Sequence, residues 1–342
     1  MKAGVFYGKG DLRVEERAIP QVKAGEVLIK VMACGICGTD VHIFNGDEGC
    51  SPTPPGTVLG HEFAGIVEKV GDGVTMAKVG DRVCVDPNKM CGECYYCKNG
   101  MGHYCESMVG IGTGIDGGFA QYCVVPQSQV YPLDDNTSFE RGAMTEPLAC
   151  CLHGIDLCKI TCGETVVVIG GGMIGMLMMQ LACISGASKV VLIEPVAQKR
   201  EQALTLGASF CIDPINQDAK AVLKENGIER VGVVIECVGR KNTMAQAIDL
   251  AGNKATVMLF GLTAPSDEIS VKPFEIFKKE LTITASYINP YTQRRAIDLI
   301  NANKVDVSSM VYKVASLDEL PAILADGKER SKGKFIIAPW KE

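Results

Sequence analysis

The sequence predicts an α/β protein of two domains: a β-rich domain first, then a doubly wound parallel sheet flanked by helices. Three observations lead there. The length of 342 residues suits two domains at roughly 100–200 residues each. Up to about residue 147, short β-branched or alternating runs are broken by glycines, and from about Glu164 strand-length apolar runs alternate with helix-length segments, the pattern of βαβ units. Hydrophobic residues at 47%, charged residues at 22% and 38 glycines describe a folded, glycine-punctuated chain and exclude disorder for most of it. With 34 Lys plus Arg against 40 Asp plus Glu, the net charge of −6 lacks the basic excess that a nucleic-acid partner demands. Apolar stretches such as residues 173–184 fall short of the roughly 20 residues that a membrane helix needs. Residues 1–10 lack a signal-peptide core, so a cytoplasmic protein is expected.

The elements follow in order. Residues 26–32, 64–70 and 81–85 read as strands of the first domain. The parallel sheet is assigned to residues 165–169, 189–194, 209–212, 232–236, 254–260 and 281–285, enough for a doubly wound sheet. After residue 285 come Tyr287-Ile-Asn-Pro-Tyr291, a helical stretch 292–302 and a tail too short for a third domain, which is expected to rejoin the first. The domains are thus residues 1–147 with 286–342, and residues 148–285.

Sixteen cysteines stand out. Without a secretion signal they are expected as thiols or metal ligands. Cys91, Cys94, Cys97 and Cys105 form a C-x2-C-x2-C-x7-C run in a lobe of about residues 88–108, and four such thiolates can close a tetrahedral shell around structural zinc. An iron–sulfur cluster fits less well, because the final gap and the residue after Cys105 differ from the bacterial ferredoxin run. The others, among them Cys50, Cys84, Cys123, Cys150, Cys151, Cys158, Cys162, Cys183, Cys211 and Cys237, read mostly as small core hydrophobes.

The strand 165–169 runs into Gly170-Gly-Gly172-Met-Ile-Gly175, followed by an apolar helix. A G-x-G-x-x-G at a strand-to-helix turn is the Rossmann dinucleotide fingerprint. Gly170 allows the tight turn, Gly172 the close approach of pyrophosphate to the helix N-terminus, and Gly175 close helix packing. The second strand ends at Glu194, 19 residues after Gly175; a carboxylate there accepts from the ribose hydroxyls and repels a 2′-phosphate, which specifies NAD. Lys199 is a second candidate for the ribose.

The chain has four histidines. His42 lies in Cys37-Gly-Thr39-Asp-Val-His42 and His61 in Gly60-His61-Glu62. Cys37 and His61 suit a catalytic zinc, which takes three protein ligands and keeps a position open; the third is Glu62 or Glu146.

Gly60-His-Glu-x2-Gly65-x5-Gly71-x2-Val74, followed by the cysteine lobe and the Rossmann half, resembles the zinc-dependent medium-chain alcohol dehydrogenase family over essentially the whole chain. Thr145-Glu146-Pro147-Leu148 is similar to its sorbitol, polyol and threonine dehydrogenase branch. The resemblance implies a GroES-like catalytic domain, two zinc ions per chain, and a homodimer or homotetramer. It implies Cys37, His61 and a glutamate on the catalytic zinc, with Glu62 and Glu146 exchanging with a water. It also implies a relay in which Thr39 receives the alcohol proton and His42 passes it through the nicotinamide ribose to solvent. Zinc would acidify the substrate hydroxyl so that hydride can leave. Ile288 and Ile43 stand where sorbitol dehydrogenases carry arginine and tyrosine, which points away from sorbitol itself. The segment 287–291 resembles arabitol-type dehydrogenases, with Asn289, Tyr291 and Arg294 expected to face substrate. The expected activity is NAD-dependent oxidation of a polyol, or its phosphate, to a ketone. An L-threonine or vicinal-diol dehydrogenase is the alternative. A noncatalytic homologue would have no reason to keep Cys37, Thr39, His42, His61 and Glu146 together.

Overall fold

The strand Glu26–Gly35 buries Val27, Leu28, Ile29, Val31, Ala33 and Cys34, because it lies inside a sheet rather than at its edge. The computed structural model describes residues 1–47 and 51–342, so Cys50 lies outside the described residues. Glu26–Gly35 belongs to a seven-stranded sheet ordered Val130–Pro132, Arg82–Val85, Glu62–Val70, Glu26–Gly35, Lys334–Ile337, Val311–Ala315, with Tyr122–Pro126 also pairing to Glu26–Gly35. Register here sets chemistry. Gly35 stands opposite Glu62 on one side and Ile336 on the other, two residues from Lys334. A smaller sheet of three strands joins Asp11–Glu16, Lys2–Gly8 and Thr57–Val58. Val5, Ile29, Phe63, Phe119, Leu320 and Ile337 share one core. These elements form the compact unit Met1–Ala149 with Asn289–Glu342.

The second unit is Cys150–Ile288. Its six parallel strands run Phe210–Ile212, Lys189–Ile193, Thr165–Ile169, Val233–Glu236, Thr256–Leu259, Thr282–Ala285. The α/β class and doubly wound sheet expected from sequence are present. The first strand in sequence lies at the reversal of strand order, where ligands bind in such sheets. Val166, Val167, Val168 and Ile169 are all buried, as a strand covered on both faces requires. Observed strands are up to two residues shorter at an end than the apolar runs, since the last apolar side chain often packs beyond the last ladder hydrogen bond. The helix Met173–Ile184 buries Met176, Leu177, Met178 and Met179. Among the described residues, no helix is long and apolar enough to cross a membrane.

Candidate functional site

In the first unit, Cys37 N-caps the helix Gly38–Asn45 through a capping box: its backbone N–H donates to Asp40 Oδ2 at 2.8 Å. The fully buried Asp40 keeps Oδ1 3.4 Å from His61 Nδ1, outside hydrogen-bond geometry. His61 follows Gly60, whose φ of +93° is one that a side chain would strain. Glu62 begins the strand Glu62–Val70. Ligand atoms of Cys37, His61 and Glu62 lie within 4.8 Å of one another. Glu62 Oε2 accepts from Lys334 Nζ, which also donates to Ile36 O at 2.8 Å. A Cβ on Gly35 would sit 2.2 Å from Glu62 Oε2 and 2.8 Å from Lys334 Cε, so glycine makes this buried ion pair possible.

The electrostatics fit a divalent cation. Glu62 Oε1, His61 Nδ1 and Asp40 Oδ1 are buried without hydrogen-bond partners, an arrangement costly unless something pairs with them. Burial disfavours charge on His61, yet Asp40 and the Cys37 sulfur outweigh it and hold the imidazole pKa well above its ordinary value. Burial likewise opposes charge on Lys334, and Glu62, Cys37 and Asp40 together more than offset it. One thiol, one imidazole and one carboxylate are zinc donors.

The other expected residues are distributed unequally. The Cys37 thiol donates to Thr39 Oγ1 at 3.7 Å. His42 is half-exposed, with Nδ1 2.7 Å from Asp47 Oδ2. Glu146 is buried in the first turn of Thr145–Cys158, in the same unit but outside the trio. The expectation that Asn289 faces substrate is corrected, while Tyr291 and Arg294 are exposed. Asn289 is 0% exposed, with its amide bonded to Asn88, Asp86 and Gln293. The Tyr291 hydroxyl accepts from Gly102 N–H, and Arg294 pairs with Asp298 on an exposed helix face.

The four cysteine sulfurs at Cys91, Cys94, Cys97 and Cys105 also lie within 4.8 Å of one another. The short antiparallel pair Asn88–Lys89 and Val109–Gly110 closes the base of their lobe. Backbone N–H groups point at the sulfurs: Cys91 N to Cys105 Sγ at 3.2 Å and Cys94 N to Cys91 Sγ at 3.3 Å. N–H groups of Cys97 and Glu106 pull the Cys94 thiol down to about 6, while desolvation pushes Cys97 up. Crowded thiols of this kind cannot all ionise unless a cation joins them. Among the other cysteines, Cys84, Cys123, Cys151 and Cys158 are buried, but Cys162 is exposed, contrary to the core role expected for it, because it lies in the turn after Thr145–Cys158.

In the second unit, Gly170 has φ +100° and Gly172 N-caps Met173–Ile184. A Cβ on Gly175 would fall 1.8 Å from Gly170 O, whereas one on Gly172 would meet nothing within 4 Å. The turn thus needs Gly175 for packing and leaves open space before Gly172. Glu194 follows the strand Lys189–Ile193 and is 5% exposed. Its carboxylate accepts from Gly171 N at 2.6 Å and Val196 N at 2.9 Å. Lys199 is half-buried in the first turn of Ala197–Thr205.

Sequence reasoning missed Asp40, Lys334, Gly171, Arg200 and Glu236. Arg200 donates to the backbone oxygens of Glu194 and Pro195, both at 2.8 Å, fixing the strand end. Glu236, fully buried at the end of Val233–Glu236, accepts from Val238 N, Gly239 N and Thr243 Oγ1. The signal that could have found Asp40 was the capping-box spacing after Cys37; for Lys334 it was a lysine opening an apolar strand.

Residues 23–135 match the alcohol dehydrogenase GroES-like domain, and residues 174–302 match the zinc-binding dehydrogenase family. D-arabinitol dehydrogenase 1 of Uromyces fabae is 30% identical, covering 98% of this chain and 96% of that one. A sorbitol dehydrogenase of Halalkalibacterium halodurans is 33% identical over 97% of each chain. The solved structure of a putative zinc-binding dehydrogenase from Sinorhizobium meliloti bound to NADP is 38% identical, covers 99% of each chain and superposes with a TM-score of 0.94.

Proposed function

Because the chain belongs to the zinc-dependent medium-chain alcohol dehydrogenase family, whose cofactors are zinc and a nicotinamide dinucleotide, we propose that it oxidises a secondary hydroxyl of a polyol, or of a polyol phosphate, to the ketone, reversibly and with NAD. The observation that carries this reading is the buried trio Cys37, His61 and Glu62, with Glu62 Oε1 unpartnered. Zinc held there supplies a Lewis acid that lowers the pKa of a substrate hydroxyl. Cys37, His61 and a glutamate would hold it, Glu62 standing within reach in this structure. Asp40 sets the orientation of His61 from the Nδ1 side, and Lys334 restrains Glu62 through its other oxygen. Glu146, buried in the first turn of Thr145–Cys158, would be the second carboxylate of the site, exchanging with Glu62 or a water. With the cofactors bound, Thr39, whose hydroxyl lies 3.7 Å from the Cys37 sulfur, would accept the alcohol proton and the half-exposed His42 would pass it toward solvent; the nicotinamide would supply the hydride acceptor. The four-cysteine lobe holds a second, structural zinc. Glu194 would receive the ribose hydroxyls, with Lys199 a second candidate for them, and Gly170, Gly172 and Gly175 would seat the pyrophosphate.

The polyol class is supported by the arabinitol and sorbitol dehydrogenases among the relatives, and NAD by the carboxylate of Glu194. The described cysteines are all free thiols, which suits a cytoplasmic site of action. A homo-oligomer is supported by the exposed edge strand Thr282–Ala285 and the exposed Phe274 and Phe277 beside it.

The test is zinc per chain on purified protein together with NADH formation from pentitols, hexitols, their phosphates, threonine and butanediol. Two zinc ions and fastest turnover on a polyol or its phosphate are expected. Faster turnover of threonine or butanediol than of every polyol would overturn the substrate class, and one zinc with no NADH from any alcohol would overturn the reaction.

A further inference from the structure

Two residues near the junction of the units adopt a left-handed backbone that side chains rarely tolerate: Ile288 at φ 47° and Tyr291 at φ 59°. Such conformations are strained and persist only where their surroundings hold them. The surroundings of Asn289 to Gln293 lie in two directions.

Toward the cysteine lobe, Asn289 Oδ1 accepts from Asn88 Nδ2 at 2.6 Å and Asn289 Nδ2 donates to Asp86 Oδ1 at 3.3 Å. Tyr291 Oη accepts from Gly102 N at 3.2 Å, three residues before Cys105. The segment therefore holds the lobe at its entry and near its last cysteine. Toward Glu146, Gln293 Nε2 donates to Thr145 Oγ1 at 3.0 Å, and that hydroxyl donates to Gly142 O at 2.7 Å. Thr292 Oγ1 donates to Ala149 O at 2.7 Å. These bonds bracket Glu146 on both sides. Asn289 Nδ2 and Gln293 Oε1, 3.4 Å apart, connect the two directions. Asn289, Thr292 and Gln293 are 0%, 4% and 1% exposed, so water does not compete for these bonds.

We infer that Asn289, Tyr291 and Gln293 are positioning residues that tie the four-cysteine lobe to the backbone carrying Glu146, so that a disturbance of the lobe changes metal binding at Cys37, His61 and Glu62. The inference rests on the reading of those residues and Glu146 as one metal site. None of the three positioning residues belongs to either sulfur or carboxylate ligand set. The link runs through few bonds, from Asn88, Asp86 and Gly102 on one side and to Thr145 and Ala149 on the other, which makes it separable by substitution.

The experiment uses full-length protein with zinc in the lobe and cobalt(II) titrated into the other site, followed by its d–d absorption and by competition with a chromophoric chelator. Tyr291→Phe removes one hydroxyl from a half-exposed ring and leaves the chain foldable. It is expected to weaken cobalt binding about threefold and to shift the d–d bands. Gln293→Met, which cuts the link beside Thr145, is expected to weaken it about tenfold. The double variant should be weaker than Gln293→Met by less than the roughly threefold that Tyr291→Phe costs alone, because both substitutions act on one link that Thr292 Oγ1 to Ala149 O still holds. Thr145→Ser, which keeps the hydroxyl, should bind cobalt as the unsubstituted protein does. Unchanged affinity and spectrum in Tyr291→Phe, or fully additive effects in the double variant, would overturn the inference. Failure of the underlying site has a different signature: the unsubstituted protein would show no thiolate-to-cobalt band that Cys37→Ser abolishes.

Discussion

Asp86 shows what a single buried residue does to stability. It is 6% exposed at the end of Arg82–Val85, and burial pushes its carboxyl from 3.8 up to about 6 against the opposing N–H groups of Asn88 and Asn289. The folded chain therefore keeps a proton that the unfolded chain releases between about pH 4 and 6. Its stabilising contribution is present below pH 4 and lost as pH rises through 6. A rise from 3.8 to about 6 corresponds to about 3 kcal/mol. Asp86→Asn, which needs no proton, should gain stability over the unsubstituted protein on going from pH 4 to pH 7. Urea unfolding in the presence of a chelator at both pH values checks this, and a constant difference would refute it. Residues at this scale divide by sequence distance. Cys37, His61 and Glu62 were legible because spacing in a short motif carries their chemistry. Lys334 was not, since it reaches Glu62 across 272 residues and only the strand register through Gly35 brings them together. Asn289 was misread for the same reason: its partners are Asn88 and Asp86, 201 and 203 residues away.

At the scale of elements, the sequence reports most about the parallel sheet. Thr165–Ile169 was placed to the residue, and the other strands within two, because unbroken β-branched runs bounded by glycine have few alternatives. The turn after that strand was legible as a motif but not as a device. Gly170, Gly172 and Gly175 could be named in advance, whereas the clasp of Glu194 on Gly171 N–H and Val196 N–H needs the second strand to lie beside the first. That clasp holds the turn, and under the proposed function it leaves Glu194 to present negative charge to the nucleotide ribose. Glu194→Ser should raise the ratio of kcat/KM with NADP to that with NAD about tenfold, equivalent to removing about 1.4 kcal/mol of repulsion. KM for both cofactors should rise, because the turn loosens. An unchanged ratio would assign discrimination to another group. The cysteine lobe, in turn, was legible from spacing alone, since residues within one short loop need no long-range register to meet.

At the scale of the whole molecule, the exposed edge of the parallel sheet asks for a partner. One edge is the three-residue strand Phe210–Ile212, too short to template pairing. The other, Thr282–Ala285, pairs on one side only among the described residues and buries little of itself. Beside it in sequence, Pro273–Lys279 buries no residue, and Phe274 and Phe277 are 68% and 78% exposed. An unprotected edge next to large exposed aromatics is an aggregation hazard unless it is covered. In the proposed homo-oligomer a second copy would cover it, because two identical edge strands can pair antiparallel about a two-fold axis and satisfy both at once. Phe277→Asp would bury a charge in such an interface and leave the monomer core untouched. Light scattering on the unsubstituted protein should give a dimer or tetramer mass at micromolar concentration, and on Phe277→Asp a mass that falls toward one chain on dilution. A single-chain mass for the unsubstituted protein would remove the oligomer altogether. An oligomer unmoved by Phe277→Asp would place the contact elsewhere and leave this edge to be protected by some other means.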